Sequence, residues 1–427
     1  MSFEWVPFTD LLSKIVDNRG RSCPVGKSGI PLIATNCIDR SNLYPSYETT
    51  RFVSEETYKT WFRGHPEPGD ILFVCKGSPG RTNWVPDPVD FCIAQDMVAV
   101  RANPKKVDPK YLFAALRSPT VQSQIDNMHV GTMIPHFKKG DFGKLNIPVP
   151  SLVVQQEIGD LYFALTQRIS ELRETNATLE AIAQALFKSW FVDFDPVRAK
   201  MEGRTPEGMD EATAALFPDG FEESELGLVP RGWGIDSLTS IASVTMGLSP
   251  KGESYNANGV GTPLVNGPVE FGDYFPVKSK WTTAADKFAQ AGDLIFCVRG
   301  STTGRRVVSD GDYCVGRGVC AIRALHGHKS FLYQTINFGI DRLLSQTTGS
   351  VFPSLSGPDI RNFSVLRPVN AVIDAYEKAT SSLLGRVEQG QLQAQTLATL
   401  RDTLLPRLIS GQLRLPDTAL QIQETAT

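Results

Sequence analysis

The chain has 427 residues, of which 41% are hydrophobic and 21% charged, enough for two or three packed domains with ordinary cores. Its formal net charge is −3, and no apolar run approaches the ~20 residues that a membrane-spanning helix needs. We therefore expect no membrane span and no export signal, and a cytoplasmic protein whose seven cysteines are reduced core thiols. The five histidines lack ligand spacing, so no metal site is expected.

Charge is distributed unevenly along the chain. Lys and Arg counted against Asp and Glu give +3 for residues 1–150, −9 for 151–225, +4 for 226–368 and −1 for the rest. Two mildly basic blocks would attract a polyanion at two separate places. Taken alone, charges of this size are also within ordinary scatter.

The first predicted elements, within residues 1–150, are short strands. Apolar runs such as PLIATNC, DILFVC and FCIAQDMVAV stand between clusters of Gly, Pro, Asn and Asp, which is typical of strands and turns. A helical segment is predicted near YLFAALRS.

Residues 151–195 predict one long helix. Leucines recur every seven residues, and a second apolar series lies four residues later, which is the a/d spacing of a coiled coil. A helix of about 35–40 residues would be ~55–60 Å long at about 1.5 Å per residue. The acidic stretch 196–227, with several Pro and Gly, predicts a linker that folds back against the helices or against a partner.

The second half of the chain repeats the first. GDLIFCVRGS at 292–301 matches GDILFVCKGS at 69–78, and CVGRGVCAIRA at 314–324 matches CIAQDMVAVRA at 92–102. Residues 228–368 are therefore predicted to duplicate the strand-rich block, and residues 369–415 the helix, followed by a C-terminal tail at 416–427.

Two matching stripes in one chain can pair with each other. The sequence thus predicts an α+β fold with pseudo-twofold duplication, in which two strand-rich α/β domains are separated by two long helices that form an antiparallel intramolecular coiled coil. The residues predicted to pair the helices are Leu165, Ile169, Leu172, Leu179, Leu186, Leu383, Val387, Leu397 and Leu404.

The helical regions resemble a known family. IPVPSLVVQQEIGDLYFALTQRISELRETNATLEAIAQALFKSWFVDFDPV and LRDTLLPRLISGQLRL are similar to the two conserved helical regions of the specificity (S) subunit of type I restriction-modification systems. The second helix begins with AVIDAY where the first has Gln-Gln-Glu, which leaves its start less defined.

This resemblance implies a DNA-recognition subunit without catalysis of its own. Target recognition domains at 1–150 and 228–368 would each read one half of a bipartite target in double-stranded DNA. Two modification (methyltransferase) subunits and two restriction (motor-nuclease) subunits would be the protein partners. S-adenosylmethionine, ATP and Mg²⁺ would bind to those subunits, and no cofactor to this chain.

The lack of catalytic motifs agrees with that implication. An adenine methyltransferase needs a [DN]-P-P-[FY] turn to hold its extruded base, and the sequence has none. GSTTGRR lacks the Lys-Ser/Thr of a phosphate-binding loop. Asp87 and Asp108 imitate a nuclease motif only weakly, because Pro109 would interrupt the strand that must present them.

DNA readout would then depend on side chains in loops. Basic side chains neutralise phosphates, and Arg, Lys, Asn and Gln can also pair with base edges; the alternative for each is plain solvation at the surface. The candidates in the first domain are Lys76, Ser78, Arg81, Asn83, His136, Lys138 and Lys139. The candidates in the second are Lys278, Lys280, Arg299, Ser301, Thr302, Arg305, Arg306 and Arg317.

A function from another class also fits these patterns. The chain could be a coiled-coil structural adaptor, with paired helices that hold proteins together and strand-rich domains that bind protein partners.

Overall fold

The computed structural model describes residues 3–18, 22–47, 50–128, 135–225, 227–345 and 354–415. The chain divides into two compact units. Unit 1 is formed by Met1–Glu174 and Leu392–Thr427, and unit 2 by Thr175–Gln391. The predicted α+β class, with two strand-rich units and two long helices, is confirmed. The predicted tail at 416–427 lies outside the described residues.

Unit 1 contains nine strands and three short helices among its described residues, followed by the start of a long helix. In chain order they are β1 Glu4–Pro7, β2 Leu12–Val16, β3 Ile30–Ile33, β4 Phe52–Val53, α1 Glu55–Thr60, β5 Ile71–Val74, β6 Thr82–Trp84, β7 Cys92–Ile93, β8 Met97–Ala102, α2 Pro109–Arg117, α3 Pro119–Met128, β9 Asn146–Val149 and α4 Leu152–Phe191. The main sheet is antiparallel in the order β2-β8-β5-β6, beside the sheet β4-β3-β7 and the pair β1-β9.

Unit 2 repeats this order of strands. Its elements are α5 Asp195–Met201, α6 Glu211–Ala215, β10 Phe221–Ser224, β11 Gly227–Pro230, β12 Gly234–Ser237, β13 Ala242–Met246, β14 Tyr255–Asn256, β15 Thr262–Val265, β16 Trp281–Thr282, β17 Phe288–Ala289, β18 Leu294–Cys297, β19 Arg306–Val308, β20 Tyr313–Val315, β21 Val319–Ala324, α7 Lys329–Leu344, α8 Gly357–Arg361, β22 Ser364–Arg367 and α9 Asn370–Ile409. The sheet β13-β21-β18-β19 corresponds to the main sheet of unit 1, and the pair β12-β22 corresponds to β1-β9.

The four apolar residues of each repeated motif form a strand that is buried on both faces. In β5, Ile71 and Phe73 pack into one core while Leu72 and Val74 pack into another. In β18 the side chains divide in the same way between two cores. Because successive side chains of a strand point to opposite faces, a strand covered on both sides must be apolar at every position.

The aspartate before each of these strands anchors a turn. The Asp70 carboxylate accepts a hydrogen bond from the backbone N–H of Glu67 at 2.9 Å and pairs with Arg101 through Nε at 2.8 Å and Nη2 at 3.0 Å. Asp293 makes the same kind of pair with Arg323, with both distances 2.8 Å. Both aspartates are buried. The Gly-Asp part of the repeat is therefore explained by folding alone.

The helices α4 and α9 each contain 40 residues and share one burial pattern. Side chains are buried at every seventh position, and the pattern in α9 matches that in α4 at an offset of 218 residues. The buried positions of this series are Gln155, Tyr162, Ile169, Asn176, Ala183 and Trp190 in α4, and Ile373, Thr380, Val387, Ala394, Arg401 and Leu408 in α9.

The helices pair antiparallel, as predicted. In unit 1, Ile169 and Leu172 of α4 pack with Ala394 of α9. In unit 2, the Tyr376 hydroxyl of α9 donates a hydrogen bond to the Ala183 carbonyl of α4 at 3.1 Å. Later residues of one helix thus meet earlier residues of the other. No helix within the described ranges is both long enough and apolar enough to cross a membrane.

The segment after α4 is folded onto unit 2. Val197 of α5 is fully buried, and the ring of Phe217 lies 5.2 Å from that of Trp190 in an edge-on contact. Trp233 belongs to the same core. Of the two alternatives predicted for this linker, the structure shows the one in which it folds back against a helix.

The helices α2 and α7 pack against the long helices, and the carboxylate that caps the N-terminus comes from a different place in each unit. In unit 1, Asp108 caps α2 by accepting from the Tyr111 N–H at 2.9 Å, and Gly159 of α4 leaves room, since a Cβ there would lie 2.6 Å from that nitrogen. In unit 2, Glu377 of α9 accepts from the Phe331 N–H of α7 at 2.7 Å. The carboxylate therefore comes from the short helix's own cap in one unit and from the long helix in the other.

Candidate nucleic-acid interface

In unit 1 the turn after β5 lies against the turn before β8. The two strands are antiparallel, with Val74 opposite Met97, so the chain leaves one where it enters the other. The Asp96 carbonyl accepts hydrogen bonds from the backbone N–H groups of Cys75 at 2.9 Å and Lys76 at 3.2 Å. The two turns therefore form one continuous surface.

A third segment, distant in sequence, completes this surface. Lys76 pairs with His136 in an isolated antiparallel bridge, and the Phe137 N–H donates to the Cys75 carbonyl at 2.9 Å. These bonds bring the basic residues that follow Phe137 beside the turn after β5. Edge 1 is the surface formed by residues 76–81, 95–96 and 135–139.

Unit 2 builds the same surface from the corresponding segments. The Val298 N–H donates to the Gly318 carbonyl at 2.9 Å, and the Leu355 N–H donates to the Val298 carbonyl at 2.9 Å. Arg299 forms an isolated bridge with Ser354, as Lys76 does with His136. Edge 2 is the surface formed by residues 299–305, 316–318 and 354–356.

The turns after β5 and β18 have matching backbones. Gly77 and Gly300 have φ angles of +88° and +91°, in the left-handed region that favours glycine. The carbonyls of Arg81 and Arg305 accept from the backbone N–H of the strand at 2.9 Å and 2.8 Å respectively. Arg81 and Arg305 thus occupy one position of the same turn in the two units.

Most of the predicted DNA-binding residues lie on these edges with accessible side chains. Five of them are exposed, namely Lys138, Lys139, Arg299, Arg305 and Arg317. Three others are half-buried, namely Lys76, Arg81 and His136. Lys139 also forms an ion pair with Asp17. The remaining edge residues of the predicted set are Ser78, Ser301 and Thr302.

Asn83 must be removed from the predicted set. Its side chain is fully buried in β6. The amide nitrogen donates to the carbonyls of Asp39 at 3.0 Å and Asn42 at 2.7 Å, and the amide oxygen accepts from the Asp39 N–H at 3.0 Å. The amide holds an internal loop in place, so the prediction that it contacts DNA is wrong.

Arg306 is likewise a structural residue. Its Nε donates to the Asn337 side-chain oxygen of α7 at 2.6 Å, and burial lowers the pKa of its guanidinium. In unit 1 the equivalent pair has its residues exchanged, since Arg117 of α2 donates from Nε to the Thr82 hydroxyl of β6 at 3.2 Å. In each unit one arginine side chain links a strand to a helix. Because its side chain makes this internal link, Arg306 is removed from the predicted DNA-binding residues.

Lys278 and Lys280 contact acidic and aromatic side chains of unit 2. Lys280 lies 3.7 Å from the Glu270 carboxylate, and its ammonium is 6.0 Å from the centre of the Tyr255 ring. The Lys278 ammonium is 5.7 Å from the centre of the Tyr313 ring. These contacts are with strands β14 and β20 and with the loop between β15 and β16, and neither lysine belongs to edge 2 as defined above.

The predicted helix-pairing residues differ in burial. Ile169 and Val387 belong to the buried series that recurs every seven residues, and Leu172, about one helical turn after Ile169, is also buried. The other six are half-buried, namely Leu165, Leu179, Leu186, Leu383, Leu397 and Leu404.

Sequence reasoning missed two polar residues near the edges. Gln95 lies on edge 1 at the position of Arg317 on edge 2, and the repeat CIAQD against CVGRG could have revealed it. Arg361 of α8 is exposed, and its guanidinium donates to the Val244 carbonyl at 3.4 Å. No sequence signal marked Arg361, because its unit 1 counterpart is Gly143.

The cysteine thiols lie in the cores, and the edges present side chains of other types. All seven cysteines are buried, and burial raises the pKa of Cys75 and Cys92 to about 12. Within the described ranges, no group of three or more His, Cys, Asp or Glu side chains could hold a metal ion. The edges offer cations, amides and hydroxyls, which suit noncovalent recognition of a polyanion.

Comparisons with known proteins point to one family. Residues 29–181 match the type I restriction modification DNA specificity domain. The chain is 24% identical to the type I restriction enzyme HindI specificity subunit of Haemophilus influenzae, over 81% of this chain and 86% of that protein. It is 23% identical to the type I restriction enzyme MjaIX specificity subunit of Methanocaldococcus jannaschii, over 72% of this chain and 70% of that protein.

A solved structure supports the fold. The S subunit of a type I restriction-modification system from M. genitalium aligns with a TM-score of 0.55 and 15% sequence identity, covering 95% of this chain and 96% of that one.

Proposed function

From its similarity to type I restriction-modification specificity subunits, we propose that the chain belongs to that family and that edge 1 and edge 2 read the two halves of a bipartite DNA target. One observation carries this assignment. Both units bring three separate segments together into the same surface, and basic side chains occupy corresponding positions on it. A polyanion with two recognition sites accounts for such a duplication, whereas a single ligand would not require it.

The chemistry of the edges fits duplex DNA. Lysine and arginine side chains on turns neutralise phosphates and fix the position of the protein on the duplex. Hydroxyl and amide side chains beside them can pair with base edges in the major groove. Edge 1 supplies Lys76, Lys138 and Lys139 for phosphates, and edge 2 supplies Arg299 and Arg305.

We further propose that the subunit acts without catalysis of its own. Two modification subunits would dock against α4 and α9, and two restriction subunits would join them, in the cytoplasm. S-adenosylmethionine, ATP and Mg²⁺ would be bound by those partners. The adaptor alternative is not favoured, because the domain that residues 29–181 match is described as a DNA specificity domain.

The test changes one edge at a time. Arg81→Ala and Arg305→Ala alter equivalent turn positions in different units, so each should weaken recognition of one half-site only. The expected cost is about 1–3 kcal/mol if a bidentate base contact is lost, and less if the contact is to a phosphate. The measurement is salt-dependent binding of the complex with its modification subunit to duplexes in which either half-site is scrambled.

Lys105→Ala provides the control, because Lys105 is exposed in the turn at the other end of β8. It should leave binding to both half-sites unchanged. Equal loss at both half-sites with either arginine variant would contradict the assignment of one edge to each half-site.

A further inference from the structure

Gln95 and Arg317 occupy the same place on the two edges. We propose that they are base-reading residues at corresponding positions of the two half-sites, where Gln95 recognises adenine and Arg317 recognises guanine. This inference rests on the proposed function, and it adds which bases the edges select and through which side chains.

The match in position comes from the strands. Counted at the same offset of 222 residues, Cys92 corresponds to Cys314 and Gln95 to Arg317. The residue after each, Asp96 or Gly318, accepts a backbone hydrogen bond from the end of β5 or β18. Both side chains therefore project from a turn that is tied to the centre of the main sheet.

The backbone that carries Arg317 has little freedom to move. A Cβ on Gly316 would lie 1.8 Å from the Asn266 side-chain oxygen, and one on Gly318 would lie 2.2 Å from the Asn266 carbonyl oxygen. The Arg317 N–H donates to the Ser249 hydroxyl at 3.1 Å. The main chain is fixed on both sides while the guanidinium is exposed, which is the arrangement needed to present one side chain to a base edge.

Gln95 lies in a corresponding setting in unit 1. Its side-chain amide nitrogen donates to the Ser22 hydroxyl at 3.3 Å, whereas in unit 2 the Ser249 hydroxyl accepts from the Arg317 backbone. The side chain lines a cleft of about 320 Å³, whose other polar lining includes Asn36, Arg51 and Asp96. Among the described residues, this contact engages one N–H of the amide and leaves its oxygen and second N–H for another partner.

The negative charge next to Gln95 favours a contact with a base over a contact with a phosphate. Asp96 is exposed next to it, and its carboxylate would repel a phosphate. A neutral amide beside a carboxylate therefore suits the base edges, and the lysines of edge 1 suit the phosphates.

The residue types then indicate the bases. A glutamine amide can pair through two hydrogen bonds with N6 and N7 of adenine, and an arginine guanidinium can pair with O6 and N7 of guanine. Each geometry leaves a buried group unpaired when the wrong purine is present, which is the source of the discrimination.

The decisive experiment exchanges the two side chains separately. Gln95→Arg and Arg317→Gln are each coexpressed with the modification subunit, and the methylated sites are mapped across a genome. Gln95→Arg should change one position of one half-site from adenine to guanine, and Arg317→Gln should change one position of the other half-site from guanine to adenine. Binding of the purified complexes to matched duplexes should shift preference by about 10-fold to 100-fold at that position.

The outcomes separate this inference from the function on which it rests. Wild-type complexes that show no sequence preference would overturn the proposed function itself. A wild type with a bipartite preference and variants whose preference is unchanged at every position would overturn the base assignment alone. A uniform gain or loss across all sequences would make these residues phosphate contacts and would also overturn it. Assembly is monitored by gel filtration, and if Gln95→Arg fails to assemble, Arg317→Gln decides the question.

Discussion

At the scale of single residues, neighbours in sequence take different roles because a strand alternates its faces. Arg305 ends the turn after β18 and is exposed, whereas Arg306 begins β19 and turns toward α7. The sequence Arg-Arg carries no mark of this difference, since it depends on which residue enters the ladder first. The burial of Asn83 has a different cause, because it depends on a loop at Asp39 and Asn42 that lies earlier in the chain, and no local pattern encodes that contact.

The paired aspartate and arginine of the repeated motif should be important for stability. Asp70→Asn keeps the shape of the side chain but leaves Arg101 without its buried carboxylate, so we expect a loss of about 2–3 kcal/mol in the free energy of unfolding. Glu67→Gln removes the more exposed partner of the same arginine, which lies 2.7 Å away, and should cost under about 1 kcal/mol. Chemical denaturation of both variants tests this difference, and equal losses would contradict it.

Glu377 should make stability depend on pH. Burial raises the pKa of this carboxyl, so the folded protein holds the proton more tightly than the unfolded chain does. The contribution of this residue is therefore fully present at low pH, and the free energy of unfolding should decline as pH rises through the raised pKa.

Two substitutions separate the charge of Glu377 from its hydrogen bond. Glu377→Gln keeps an acceptor for the Phe331 N–H and should remove this part of the decline. Glu377→Ala also removes the ionisable group and leaves that N–H unpaired, so it should cost about 1 kcal/mol relative to Glu377→Gln at every pH. Denaturation curves from pH 4 to pH 8 measure both effects, and a Glu377→Gln variant that keeps the full pH dependence of the wild type would contradict this account.

At the scale of elements, the sequence predicts which helices and strands exist better than it predicts which distant segments pair with each other. The long helices α4 and α9 and the helical segment α2 follow from apolar spacing, and the strand β5 follows from its apolar run between turn residues. The bridge between Lys76 and His136 joins residues 60 positions apart, and no local pattern encodes it. Edge 1 could therefore be predicted as a set of basic turns but not as one surface.

The crossing of the two long helices in unit 2 contains a polar residue opposite a glycine. Asn176 is buried, its amide nitrogen has no hydrogen-bond partner among the described residues, and a Cβ on Gly390 would lie 2.4 Å from its side-chain oxygen. Gly390→Ala should therefore destabilise the protein by about 1–3 kcal/mol, although alanine is the better helix former. Asn176→Ala should offset most of that loss in the double variant, which a double-mutant cycle in thermal unfolding measures.

Gly385 is the matched control on the same helix. Apart from the backbone of its own helical turns, no atom of the described part of the chain lies within 4 Å of a Cβ placed there, so Gly385→Ala should stabilise the protein by up to about 1 kcal/mol. Equal effects of Gly385→Ala and Gly390→Ala would show that the contact with Asn176 has no energetic weight.

At the scale of the whole molecule, the duplication suggests that helix length helps to set the spacing of the DNA target. Adding seven residues to each of α4 and α9 would lengthen each helix by about 10 Å while keeping the buried series in register. If helix length sets that spacing, the unspecified spacer should grow by about one to three base pairs, at ~3.4 Å of rise each. Both half-site sequences should remain unchanged in methylome maps.

Insertions that are not heptads provide the comparison. Three or five extra residues in one helix would rotate its buried face away from its partner and should abolish modification. A heptad variant that still methylates the original spacing would exclude helix length as the determinant.

The two different helix caps have a consequence for hybrid chains. A graft that placed the segment containing Asp108 onto α9 would set that carboxylate beside Glu377, and two acids would compete for one backbone N–H. The reverse graft would leave the Phe331 N–H facing Gly159, with no acid to receive it. We therefore expect that the recognition segments cannot be exchanged freely between the two positions. A hybrid chain should carry the first turns of the long helix together with the segment that packs against it.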